Sequence, residues 1–194
     1  LTLSLALESL VLIMTARYRR EHSGRILGLG AAILTLLHGG FVWADGMLPA
    51  WGAAGFGGEA AIAVSIVVIF GVLAEAYRVT PWHTFPAPGF PKMPALNTWC
   101  RVMEMLPEGE GTTPQPSRMT CSHLLSLMGT ALAVGYVHAL VPVLYQPTTL
   151  FVMALAAIGV ALWRASAPLL TTTPFLVAVG AFWWLGLDAV TTTW

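Results

Sequence analysis

Basic residues and apolar runs alternate along this chain in a pattern that few folds can accommodate. All Lys and Arg residues fall between the first and second, third and fourth, or fifth and sixth apolar runs; they are Arg17, Arg19, Arg20, Arg25, Arg78, Lys92, Arg101, Arg118 and Arg164. The alternate connections, around residues 45–58 and 142–148, contain no Lys or Arg. Because cytoplasmic loops retain positive charge, this asymmetry predicts six membrane spans with both termini on the outer side.

The composition supports the same fold class. Of the 194 residues, 57% are hydrophobic and 9% are charged, with a mean hydropathy of +0.76, whereas soluble domains carry about 25% charged residues. We therefore predict one all-α domain over residues 1–194, a polytopic integral membrane bundle with the lipid bilayer as its main partner. The formal net charge is zero, which argues against a nucleic-acid partner.

Six spans are predicted, at about 1–16, 25–44, 59–77, 122–141, 149–163 and 174–190. The first is short for a bilayer that requires about 20 residues, so we expect further residues or a signal peptide before Leu1. Thr171–Pro174 has the pattern of a helix start, a hydroxyl cap followed by proline. Gly24 and Gly28 in the glycine-rich second span predict close approach of another helix, either within the protein or in a partner subunit.

The segment 78–121 is predicted to be a cytoplasmic loop. It holds eight of the thirteen prolines, so it cannot form one long helix. Residues 95–106 are predicted to form an amphipathic helix lying on the inner membrane surface, and the loop is expected to pack against partner membrane subunits. Cys100 and Cys121 would lie on the reducing side of the membrane, where we interpret them as structural thiols.

Four ionisable residues inside the predicted spans are candidate functional groups, because charges in hydrocarbon are costly. Counted at about 1.5 Å per residue, His38, His138 and Asp188 lie roughly 20–23 Å from the inner boundary, and Glu8 lies roughly 14 Å from it. We expect all four side chains to face the interior of the bundle.

Several chemistries fit these residues. His38 and His138 could be axial ligands of one b-type haem or lie beside a quinone near the outer face. The same histidines with Asp188 could hold copper or zinc, and Glu8 could join them in a proton relay. A second haem is excluded because His22 lies about 160° around the helix from His38.

The leading functional prediction is an integral membrane subunit of an electron-transfer complex of respiratory or photosynthetic type, holding a haem or quinone or acting as a purely structural subunit. A proton, metal or small-solute transporter is one alternative. A metal-dependent membrane-embedded enzyme acting on a lipid or small apolar substrate is another. The chain has no nucleophile elbow, no HExxH motif and no P-loop, so the sequence does not indicate a particular reaction.

Overall fold

The computed structural model describes residues 1–44, 57–80 and 121–191; for residues 42–44, 57, 59, 167, 171 and 187–191 it describes the backbone alone. The elements are α1 (Thr2–Arg19), α2 (His22–Ala44), α3 (Gly57–Val79), α4 (Cys121–Leu140), a short 3-10 helix (Val143–Tyr145), α5 (Gln146–Arg164) and α6 (Ala167–Thr191). The predicted all-α class is confirmed for this part of the chain. The predicted surface helix at 95–106 lies outside the described residues.

Five of the described helical segments are long and apolar enough to cross a membrane, which suggests a multi-pass membrane protein. They lie in α2, α3, α4 and α6, and in α5 together with the preceding 3-10 helix. Large apolar side chains are exposed around the bundle, among them Leu37, Val64 and Leu155, as expected where lipid replaces water. The segment α1, which carries Glu8 and two arginines, is not among the five, so its crossing stays a prediction.

A tight turn joins α1 to α2, and small residues bring the two helices together. Arg20 ends α1 in the left-handed conformation, with φ of 56°. A Cβ atom added at Gly28 would lie 2.5 Å from the Ile13 side chain, and one at Gly24 would lie 3.0 Å from Ala16 Cβ. The predicted close approach of another helix at these glycines is therefore confirmed, and the partner helix is α1.

Helices α3 and α4 form a second closely packed pair, which packs on α1 and α2. A Cβ atom at Gly129 would lie 2.7 Å from Phe70 Cβ, so this contact requires glycine. The Ser122 hydroxyl donates a hydrogen bond to the Ala74 carbonyl at 2.6 Å. The main core cluster lies among these four helices and includes Ile13 and Phe70, which are fully buried.

Helices α5 and α6 form an antiparallel pair that contacts the other helices mainly through α4. Ala165 ends α5 in the left-handed conformation, with φ of 50°. Gly180 of α6 brings the pair close together, since a Cβ atom there would lie 3.3 Å from Leu150 Cβ. In contrast, α3 and α5 scarcely touch each other. Among the described helices, the bundle is therefore open between α3 and α5.

The predicted helix start at Pro174 is wrong. Helix α6 begins at Ala167, and Pro174 lies inside it. The Thr173 hydroxyl donates to the Leu169 carbonyl at 2.9 Å, one turn back, rather than capping a helix start. Pro168, in the first turn of α6, supplies the same sequence signal four residues after α5 ends at Arg164. Similarly, α5 begins at Gln146, before the predicted position 149.

Candidate functional site

The histidines predicted to share a site contact different helices. The Thr2 hydroxyl of α1 lies 2.8 Å from His38 Nδ1, a hydrogen bond that joins α1 to the outer part of α2. The His138 ring lies against Trp183 of α6, with ring centroids 5.2 Å apart. The His38 imidazole therefore contacts α1, and the His138 imidazole contacts α6. A haem or quinone between the two histidines stays a prediction.

The expectation that the polar residues face the bundle interior is wrong for Glu8 and His138, both of which are exposed. In α1 the buried face carries Ala6, Ser9 and Ile13, and Glu8 lies beside it on the outer face. His38 is half-buried. Asp188 lies in α6, but its side chain is outside the described part of the structure. The proton relay through Glu8 stays a prediction.

The described side chains form no cluster suited to a metal ion. Within them, no three His, Cys, Asp or Glu residues come together in a way that could hold a metal ion. The copper or zinc site predicted from His38, His138 and Asp188 stays a prediction, because the Asp188 side chain is not among those described.

A cavity of the described bundle lies elsewhere, between α3 and α5. A cavity of about 900 Å³ extends from Ala60 to Val79 on α3 and from Thr149 to Arg164 on α5, with α4 and α6 as its floor. We refer to it as the α3–α5 groove. At about 1.5 Å per residue, its length along α3 is roughly 28 Å, close to the roughly 30 Å thickness of a bilayer core.

The groove opens sideways, toward the region that lipid would occupy. Val64, Val68 and Val72 on α3 line it and are exposed at the molecular surface. Val160 and Trp163 on α5 line the opposite edge and are also exposed. A ligand can therefore enter between the two helices without passing through the protein core.

Three hydroxyl groups in the floor of the groove, those of Ser126, Thr130 and Thr172, are already hydrogen-bonded. Thr130 donates to the Ser126 carbonyl at 2.9 Å. The Ser126 hydroxyl lies 3.0 Å from the Thr172 hydroxyl and 3.2 Å from the Pro168 carbonyl. Because buried polar groups with satisfied hydrogen bonds have little need of a ligand partner, this wall is suited to hydrocarbon.

Gly71 leaves part of the groove open. It lies on the groove wall, and no atom would be within 4 Å of a Cβ atom added there. Gly159 of α5 has the same free space around it but is exposed and does not line the groove. The two glycines therefore form a matched pair for testing whether the groove volume is used.

One end of the groove is charged. Arg78 donates two hydrogen bonds to Glu75, from Nε to Oε2 at 2.9 Å and from Nη2 to Oε1 at 2.6 Å. Arg164 Nη2 lies 3.6 Å from the same Oε1, beyond hydrogen-bonding distance. Arg17 of α1 also lines the groove. We call these four residues the charged end; Glu75 balances one arginine, and two positive charges remain in excess.

The charged end coincides with the end of the bundle where the described basic residues meet. Arg25, at the start of α2, is buried and donates a hydrogen bond from Nε to the Tyr77 hydroxyl near the end of α3. Arg164 ends α5 and stacks near the Trp163 ring, 5.8 Å from its centroid. The turn after α1, the end of α3 and the end of α5 are therefore close together, as the distribution of basic residues predicts.

The sequence interpretation missed this charged end, because it used Arg78 and Arg164 only as markers of membrane sidedness. The Glu75–Arg78 pair has the three-residue spacing of side chains that meet on one helix face, a signal that was present in the sequence. The approach of Arg164 to Glu75 depends on how α5 packs relative to α3, and no local pattern encodes it.

No protein-family model, curated protein or solved structure matches this chain.

Proposed function

We propose that this protein is a multi-pass membrane protein that binds one anionic membrane lipid. An acyl chain would lie in the α3–α5 groove, and the head group would contact Arg164 and Arg17 at the charged end. The observation that carries the proposal is the continuity of a long apolar groove with an excess of arginine at one end.

The head group, rather than the acyl chain, is expected to determine which lipid the site prefers. A lipid chain in the bilayer is already in hydrocarbon, so its transfer to the groove gains little from the hydrophobic effect. A basic residue near the membrane surface attracts an anionic lipid by about 1 kcal/mol. Two uncompensated arginines then favour an anionic over a neutral head group by about 2 kcal/mol, which is roughly 30-fold in affinity.

The proposal also specifies which side of the membrane the charged end faces. Lys and Arg favour the cytoplasmic side, so the charged end would face the cytoplasm and the lipid would enter from the inner leaflet. The basic turn at residues 17–25 would lie on that side, and the termini of the chain on the other. Trp163, exposed beside Arg164, would lie at head-group level, where tryptophan is enriched.

Native mass spectrometry of the detergent-purified protein tests the proposal. The probes are dioleoylphosphatidylglycerol, which is anionic, and dioleoylphosphatidylcholine, which is neutral overall. We expect one phosphatidylglycerol to bind roughly 30-fold more tightly than phosphatidylcholine, by the estimate above. Gly71→Leu puts a side chain into the groove, one turn of α3 from Glu75, and should lower phosphatidylglycerol affinity several-fold, because the acyl chain loses van der Waals contacts there.

Gly159→Leu is the control, because it adds the same side chain outside the groove and should leave lipid affinity unchanged. Equal binding of the two lipids would contradict the proposal, as would unchanged binding in Gly71→Leu. Loss of binding in both glycine variants alike would also contradict it, because the effect would then not depend on the groove.

A further inference from the structure

We infer that Glu75 tunes the head-group specificity of the proposed site: it acts as an internal counter-ion beside Arg164 and penalises a doubly charged lipid head group more than a singly charged one. The inference rests on the proposed function and concerns the charge of the ligand.

The contacts of Glu75 with its two arginines are unequal. Arg78 holds both carboxylate oxygens through hydrogen bonds of 2.9 and 2.6 Å. Arg164 is 3.6 Å away, and half of its side chain is exposed, compared with 15% for Glu75. An incoming head group can therefore bind Arg164 without breaking a hydrogen bond between Arg164 and Glu75. Arg78 would keep the Glu75 carboxylate in place through its two hydrogen bonds.

The guanidinium group of Arg164 suits an anion with two oxygen acceptors. Arginine presents paired N–H donors that match the geometry of phosphate and carboxylate. A phosphodiester head group bound there carries one negative charge. The Glu75 carboxylate would remain beside it, close enough to Arg164 to repel any additional charge on the ligand.

Charge counting then separates two classes of anionic lipid. A phosphodiester such as phosphatidylglycerol has one charge, whereas a phosphomonoester such as phosphatidic acid carries about −1.5 to −2 near neutral pH, by analogy with other phosphomonoesters. Repulsion by Glu75 grows with the ligand charge. Glu75 should therefore weaken phosphatidic acid binding more than phosphatidylglycerol binding, and so reduce the preference that the excess of arginine alone would give to the doubly charged lipid.

The test measures the affinities of phosphatidylglycerol, phosphatidic acid and phosphatidylcholine for the wild type and for Glu75→Gln. Removing one carboxylate charge should strengthen phosphatidylglycerol binding about fivefold and phosphatidic acid binding about 20-fold, leaving phosphatidylcholine unchanged. In an Arg164→Gln background, the gain from Glu75→Gln should shrink at least threefold, because the two residues act on the same ligand group.

An equal change for all three lipids in Glu75→Gln would overturn the inference, as would weaker phosphatidylglycerol binding. So would a full gain in the Arg164→Gln background. If the wild type binds none of these lipids in preference to the others, the proposed function itself fails, which is a distinct result.

Val79 provides a second route that leaves Glu75 and Arg78 themselves unchanged. It is exposed, lines the groove and lies four residues after Glu75 on the same face of α3. Val79→Glu should weaken phosphatidic acid binding several-fold more than phosphatidylglycerol binding. Val79→Gln, the uncharged control, should affect the binding of the two lipids equally. Equal effects of Val79→Glu on both lipids would also overturn the inference.

Discussion

Single small residues set the distances between the helices of this protein. The close approach of α1 to α2 at Gly24 and Gly28 could be predicted, because a glycine repeat at four-residue spacing is visible in the sequence. The contact of Gly129 with Phe70 could not, since these residues are far apart in the chain and neither forms a repeat. Local spacing identifies a small-residue face, and tertiary packing decides which helix it meets.

Gly129→Ala should destabilise the protein. The added methyl group would lie 2.7 Å from Phe70 Cβ, and overpacking of this kind costs about 1–3 kcal/mol. Gly30→Ala is the control, because no atom lies within 4 Å of its added methyl group. It should stabilise α2 by up to about 1 kcal/mol through helix propensity. Thermal unfolding in detergent measures both, and similar stabilities for the two variants would contradict the α3–α4 packing.

Ser9→Ala should weaken the α1–α2 contact. The buried Ser9 hydroxyl donates to the Gly28 carbonyl at 2.7 Å, and hydrogen bonds between membrane helices contribute about 0.6 kcal/mol on average. Ser65→Ala is the matched control, because the exposed Ser65 hydroxyl bonds only within α3, to the Ala61 carbonyl. The same unfolding assay should give a loss in Ser9→Ala and little change in Ser65→Ala; the reverse order would count against the contact.

At the scale of helices, the sequence predicted the existence of each element better than its start. Apolar runs bounded by charges and turn residues located all six described helices. The start of α6 was misplaced because Pro168 and Pro174 both follow residues compatible with a helix start, and proline at either position satisfies the same local rule. The left-handed Ala165 that ends α5 resolves the choice, and it is a feature of the fold rather than of the residue type.

Pro174→Ala distinguishes the two starts of α6. Inside a helix, proline removes a backbone hydrogen bond and costs up to about 3 kcal/mol, although neighbouring groups in membrane helices offset part of this cost. We therefore expect Pro174→Ala to raise the unfolding temperature measured in detergent. At a true helix start, proline is favourable, so a lower unfolding temperature would contradict a start at Ala167.

At the scale of the molecule, charge placement was predictable and the groove was not. The distribution of Lys and Arg predicted that the ends of α1, α3 and α5 lie on one side of the membrane; these ends lie close together around Glu75 and Arg25, and the side that they face stays a prediction. The polar residues of the spans, however, predicted a site at His38 and His138 rather than at the groove. The groove arises because α5 and α6 dock mainly through α4, so that none of the described helices covers the face of α3 toward α5. This arrangement depends on contacts between distant parts of the chain.

Photo-crosslinking in lipid nanodiscs tests the central claim most directly. The probe is phosphatidylglycerol with a diazirine in its acyl chain, and peptide mass spectrometry locates the adducts. Val68 lies in the groove and is the test position. Val152 lies outside the groove and is its matched control, because the two side chains are 57% and 60% exposed. A bound lipid predicts several-fold more labelling at Val68, with the excess lost in Gly71→Leu. Equal labelling of the two valines, unchanged by that substitution, would show ordinary bilayer contact and contradict the account.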